Sequence, residues 1–190
     1  MEDLEDRIGE ILRNRQINII RDGNLIPSAV LIPLCKKSEE YFVFFTKRPK
    51  IMKRHAGQIS FPGGLFDNSD KNIKETAIRE TFEELGISQH NMKVLGRLDD
   101  YATITGYLIS PFVGSINPNC ILKINSSEIE ELITIPLADL LNISPRIEIR
   151  THQGLNYPTY HYDYHEHVIW GATAKILKNF LELTSRLIDN

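Results

Sequence analysis

Cysteine is nearly absent: Cys35 and Cys120 are the only two in 190 residues, far apart and outside any paired metal-ligand spacing. That excludes a disulfide framework and a cysteine zinc site, and a reducing, cytoplasmic compartment is the expectation. Positive charge is also in short supply. With 22 Lys and Arg against 25 Asp and Glu, the net charge of −3 removes the broad basic footprint that a nucleic-acid partner requires. No apolar run approaches the ~20 residues that span a bilayer, so no membrane partner is expected. The opening Met1-Glu2-Asp3-Leu4-Glu5-Asp6 is acidic where a secretory signal is basic and then apolar. Repeats, low-complexity tracts and linker-like segments are missing too. What remains is one globular domain over residues 1–190, with a small-molecule partner and a monomeric or homodimeric state.

The pattern of apolar residues alternates between helical and strand periods. Leu4, Ile8, Ile11 and Leu12 line one face of a helix at about 3–15. Strands are expected at 29–34, 41–46, 58–61, 93–98, 108–114, 132–135 and 147–151, with a weaker one at 160–164. A closing helix covers about 171–188. Trp170 would open that helix and pack into the core, and His161, His165 and His167 lack the helical spacing of a metal-ligating pair.

The chemistry concentrates in one segment. From Ile73 to Leu85 the residues Ile73, Ala77, Ile78, Phe82 and Leu85 recur at helical spacing, so Glu80, Glu83 and Glu84 share another arc. Glu80 and Glu84 are neighbours one turn apart, and like charges that close destabilise a helix unless a cation lies between them. Magnesium is usually held by one or two carboxylates plus substrate phosphates, which Glu80 and Glu84 suit. Upstream, Phe61-Pro62-Gly63-Gly64 ends a strand-like run, and Gly86 supplies the helix stop.

Arg79-Glu80-Thr81-Phe82-Glu83-Glu84-Leu85-Gly86-Ile87 resembles the signature box of the Nudix hydrolases, with Thr81 in an apolar slot. The box would run from 64 to 87. Its front loop is one residue longer than the family's, and Asp70 stands where the first glutamate, a loop anchor, is expected. Thr46-Lys47-Arg48, Gly57-Gln58, Phe61-Pro62-Gly63-Gly64, the Asp67-x-x-Asp70 loop, Thr105-Gly106-Tyr107 and Ile169-Trp170-Gly171-Ala172 are similar to the coenzyme A pyrophosphatase branch. The resemblance implies an α/β/α sandwich with a mixed central sheet and a Mg2+- or Mn2+-dependent hydrolase of phosphoanhydrides. It also implies metal ligands Glu80, Glu83, Glu84 and the Gly63 carbonyl, oriented by Arg79.

A phosphoanhydride resists water because its oxygens are negative, so neutralising cations and a positioned water are the needs of the reaction. Glu83, Arg79 and a base outside the box, with Glu128 favoured over Glu130 and Glu131, are the catalytic candidates. The patch Lys47, Arg48, Lys50, Lys53, Arg54 and His55 suits the additional 3′-phosphate of coenzyme A. Arg48, Lys53 and Arg54, with Gly64, are the expected substrate contacts. Two alternatives stand beside coenzyme A: another nucleoside diphosphate derivative such as ADP-ribose, and a non-catalytic module that senses a nucleotide.

Overall fold

The computed structural model describes residues 3–50, 56–152 and 154–188. Its elements in chain order are α1 (Leu4–Asn14), β1 (Ile26–Lys37), β2 (Glu40–Lys47), β3 (Ile59–Ser60), β4 (Gly63–Leu65) and α2 (Ile73–Leu85). There follow a 3-10 turn (Gln89–Asn91), β5 (Met92–Arg97), β6 (Tyr101–Ala102), β7 (Tyr107–Ile116), β8 (Glu131–Pro136) and α3 (Leu137–Asn142). The chain closes with β9 (Arg146–His152), β10 (Leu155–Tyr164), β11 (His167–Trp170) and α4 (Gly171–Ile188).

Strand β1 is the axis of a mixed sheet. It pairs antiparallel with β2, parallel with β7 along ten registered positions, and antiparallel with β4 at Ser28–Val30. The order β3-β2-β1-β7-β5 is completed by β6 on β7 and β8 on β2. Because side chains alternate across a strand, β1 feeds two cores. Ala29, Leu31 and Cys35 meet Phe44 of β2 and Ala77 and Leu85 of α2. Ile32 and Leu34 join Val43 and Phe45 on the opposite side with Ile8 and Leu12 of α1 and Phe180 of α4. Each of the Leu, Ile, Val and Phe side chains so buried is worth about 1.5–3 kcal/mol. The result is a sheet with helices on both faces, as expected, and β9, β10 and β11 make a second, three-stranded sheet. Among the described residues, no helix is long and apolar enough to cross a membrane.

Two expectations need correction. Phe82 does not face the core; it is 54% exposed, and Thr81 takes the fully buried position. The Thr81 hydroxyl donates to the Ala77 carbonyl at 2.7 Å, so burial leaves no unsatisfied polar group. Trp170 neither begins the last helix nor enters the core: it ends β11, partly exposed, with the Arg150 guanidinium 5.5 Å from its ring centroid.

Candidate active site

The site is built where β4 meets α2. Asn72 caps the helix, its side chain accepting from Lys74 and Glu75 N–H, and Gly86 ends it in the left-handed conformation at φ 71°. The segment between β7 and β8 passes beneath the helix end. Lys123 N–H donates to the Leu85 carbonyl and Asn125 N–H to the Glu84 carbonyl, both at 2.9 Å. These bonds satisfy carbonyls that a helix terminus leaves open. They also bring Glu128 toward Glu80 and Glu84, since its charge acts on both carboxyls.

Glu84 is the unusual group. Only 2% exposed, its carboxyl is pushed up to about 8, first by burial. Arg48 opposes the shift from 4.0 Å, the charges of Glu80 and Glu128 add to it, and the Gly63 N–H donation opposes it. Burial likewise raises the Glu80 carboxyl, against the Arg79 hydrogen bond and with the charges of Glu83 and Glu128. Glu83 is half-exposed and lies 3.1 Å from Arg79, so its carboxylate is turned along the helix surface. Among the described residues, no three His, Cys, Asp or Glu side chains converge tightly enough to ligate a cation as they stand. A buried and a half-buried carboxylate, Glu84 and Glu80, nevertheless fit a cation that takes one or two protein carboxylates and draws its other oxygens from substrate and water.

The loop before α2 is organised by Asp70, whose side chain is 4% exposed. Arg79 grips it bidentately, Nε to Oδ1 at 2.9 Å and Nη2 to Oδ2 at 3.0 Å. The Thr76 hydroxyl donates to it at 2.8 Å. Arg79, first among the causes, holds the Asp70 carboxyl down at about 2. The same guanidinium reaches Glu80 at 2.8 Å and the Leu65 carbonyl at 3.0 Å. One side chain thereby ties loop, turn and acidic cluster together.

The remaining sequence candidates divide sharply. Glu130 and Glu131 are engaged by Lys47, at 3.6 and 2.9 Å, whereas Glu128 accepts only from Asn125 Nδ2 at 3.2 Å among the described residues. Arg48 faces Glu84; Lys53, Arg54 and His55 lie outside the described residues. His161 faces Glu148 at 3.1 Å and His167 faces Glu131 at 3.6 Å, so the three histidines do not converge. Asn125, which no motif announces, positions both the end of α2 and Glu128.

Adjacent glycines make an internal test. A Cβ on Gly63 would lie 2.3 Å from the Ala29 carbonyl oxygen, within the sheet backbone; one on Gly64 would lie 2.3–2.5 Å from the Glu80 carboxylate. Gly63→Ala should therefore cost about 2–4 kcal/mol of stability. Gly64→Ala should leave the melting temperature nearly unchanged while displacing Glu80 and lowering kcat about 100-fold. Thermal denaturation and steady-state kinetics on both variants check the contrast; equal melting temperatures would contradict it.

The family model for the NUDIX domain matches residues 25–154. The chain is similar to a Photorhabdus laumondii protein named uncharacterized Nudix hydrolase NudL, 36% identical over 79% of this chain and 80% of that one. It also resembles the solved structure of a MutT/nudix family protein from Enterococcus faecalis, with TM-score 0.55, 14% identity, and coverage of 100% of this chain and 71% of that one. A third likeness is the NUDIX domain of Shewanella oneidensis NrtR complexed with ADP ribose, with TM-score 0.50, 16% identity, and coverage of 71% and 86%. At such identities the two structural likenesses speak to the fold.

Proposed function

The chain belongs to the NUDIX family of hydrolases, which act on phosphoanhydride bonds, and on that premise we propose that it cleaves the diphosphate of coenzyme A or an acyl derivative. The products would be 3′,5′-adenosine bisphosphate and a 4′-phosphopantetheine fragment. The observation that carries the hydrolytic reading is the close pair of carboxyls on Glu80 and Glu84, half-buried and buried and both raised by that burial, beside Gly63 and Gly64 of β4. A pure sensor has no need for carboxylates held this far from water, and burying them uncompensated is costly.

Each residue then has a task that its surroundings support. Glu80 and Glu84, with Glu83 and the Gly63 carbonyl, would hold Mg2+ or Mn2+, whose charge neutralises the diphosphate oxygens. Arg79 fixes Glu80 in place and keeps the loop closed through Asp70. Glu128 would accept the proton of the attacking water, because its second oxygen has no hydrogen-bond partner among the described residues. Arg48 would approach the substrate's anionic groups, and Gly64, without a side chain, leaves the space that the Glu80 carboxylate fills, so the substrate would meet it through its backbone. Lys53 and Arg54 would meet the 3′-phosphate. A single domain, in a cytoplasmic setting that suits its two free cysteines, completes the reading.

Support for coenzyme A over ADP-ribose comes from the sequence of the segment around Thr46 to Gly64 and the lengthened Asp67–Asp70 loop. Turnover of coenzyme A, dephospho-coenzyme A and ADP-ribose, with and without Mg2+ or Mn2+, tests it. We expect metal-dependent release of adenosine bisphosphate and at least about a tenfold lower kcat/KM without the 3′-phosphate, equivalent to about 1.4 kcal/mol. Faster ADP-ribose turnover would move the substrate to the other nucleoside diphosphate derivatives. Tight nucleotide binding with no product from any of them would leave a sensor.

A further inference from the structure

Strand β9 is the outer member of the second sheet. One edge pairs with β10 in an unbroken register from His152–Leu155 to Arg146–His161; among the described residues the other edge pairs with nothing. Open edges are normally protected by proline, a bulge, charged side chains, lysine above all, or a covering segment, because unpaired backbone N–H and C=O groups template further strands. The sequence Arg146-Ile-Glu-Ile-Arg-Thr-His152 contains no proline and no lysine, its register has no bulge, and its charges are of both signs, with Arg150 donating to Glu148 of the same strand at 3.1 Å. Ile147 and Ile149 lie on one face of it, 58% and 63% exposed. Inward on β10, Tyr160 stands opposite Ile147 and Pro158 opposite Ile149, so the apolar face continues from the edge. A single exposed isoleucine needs no explanation; two on an open strand edge do.

The strand is complementary to itself along its whole length in one antiparallel register. With a two-fold axis at Ile149, Glu148 opposes Arg150 of a second copy and Arg150 opposes its Glu148. Ile149 meets Ile149, and Ile147 meets the methyl-bearing Thr151. Moving the axis to Glu148 sets glutamate against glutamate and Arg146 against Arg150; moving it to Arg150 sets arginine against arginine. Opposite charges and β-branched pairs stabilise directly opposed positions, and like charges there destabilise them. An axis at Ile147 also sets Arg146 against Glu148, but β9 begins at Arg146 and only residues 146–148 would pair, whereas the Ile149-centred register satisfies both rules at its middle and pairs all of 146–152.

We propose that β9 pairs with β9 of a second copy of this chain about a two-fold axis at Ile149, joining the two three-stranded sheets into one of six strands. Such an interface is isologous and closes on itself. A contact confined to one strand edge belongs with the small interfaces, below about 1,200 Å², where weak and transient association is found, so dimerisation is sought in the micromolar range. It is independent of the substrate, because it is read as mass rather than turnover.

Sedimentation velocity on the full chain from about 1 to 200 µM, spanning that micromolar range, should show reversible dimerisation. Ile149→Lys, at an exposed position, places two ammonium groups face to face and should weaken the dimer at least about tenfold without lowering the melting temperature. Arg150→Glu alone should do the same by opposing Glu148 with glutamate. Combining it with Glu148→Arg should restore association, since each charge pair is rebuilt in reverse. A monomer at every concentration, a dimer indifferent to Ile149→Lys, or a double swap that stays monomeric would each overturn the proposal.

Discussion

Glu84→Gln should abolish hydrolysis while making the metal-free protein more stable at neutral pH. The two effects have one cause. In the fold the Glu84 carboxyl is raised to about 8 because it is 2% exposed, while in an unfolded chain it titrates near the ordinary glutamate value of about 4.3. Below about pH 4 both states hold the proton and nothing is lost. Between there and pH 8 the unfolded state gives up its proton more readily, so stability falls as pH rises and levels off above the folded value. Glutamine keeps the shape, can accept from the Gly63 N–H, and has no charge to desolvate. We expect about 1–3 kcal/mol of added stability at pH 8, a flat profile where the parent slopes, and a kcat at least about 1,000-fold lower. Thermal melts from pH 4 to 8 under chelation, beside single-turnover assays, read both. An unchanged rate would remove Glu84 from the reaction, and a lower melting temperature at pH 8 would show that Arg48 already compensates its charge.

The acidic segment is legible in the sequence because the same carboxylates that must be crowded for the reaction are crowded by helical spacing. Arg79, Glu80, Glu83, Glu84 and Gly86 are fixed by that spacing and by charge, and both properties are visible in a string of residues. Asp70 is visible as a position but not as a role; the role needs the distance across which Arg79 reaches back. Thr81 and Phe82 exchange their expected places because a periodicity argument counts apolar side chains, whereas a threonine whose hydroxyl returns to its own helix can be buried as readily. Strand β4 is concealed by its glycines. In the sequence Gly63 and Gly64 only end a strand-like run, yet they begin a strand of their own: β1 backbone lies too close to Gly63 for a Cβ, and the Glu80 carboxylate takes the space beside Gly64. The tight turn into β11 carries His165 at φ 51° rather than a glycine, so Trp170 passes for the start of a helix. The path of Lys123 and Asn125 beneath α2 is a tertiary event with no local signature.

The Arg79–Asp70 pair should be asymmetric when it is broken. Removing Arg79 leaves Asp70, 4% exposed, as a charge without its bidentate partner, and releases the Leu65 carbonyl and Glu80 at once. Arg79→Ala should cost about 3–5 kcal/mol, the range for stripping one member from a buried ion pair, and lower kcat at least about 100-fold through Glu80. Asp70→Ala leaves an arginine that is itself 27% exposed, can reach water and still holds Glu80 and Glu83. Its expected cost is about 1–2 kcal/mol, with a smaller loss of rate. The double variant should be less destabilised than the two single costs summed, by about 1–3 kcal/mol, which is the coupling a double-mutant cycle reports. The pH dependence follows from the sign of the shift. Asp70 is depressed from 3.8 to about 2, so its contribution is complete above the unfolded value and is lost as pH falls through about 2. Urea denaturation of the four proteins at pH 7 and pH 2 measures both predictions. Strict additivity at pH 7 would mean that Asp70 and Arg79 act separately, and that the long box loop is held by something other than their contact.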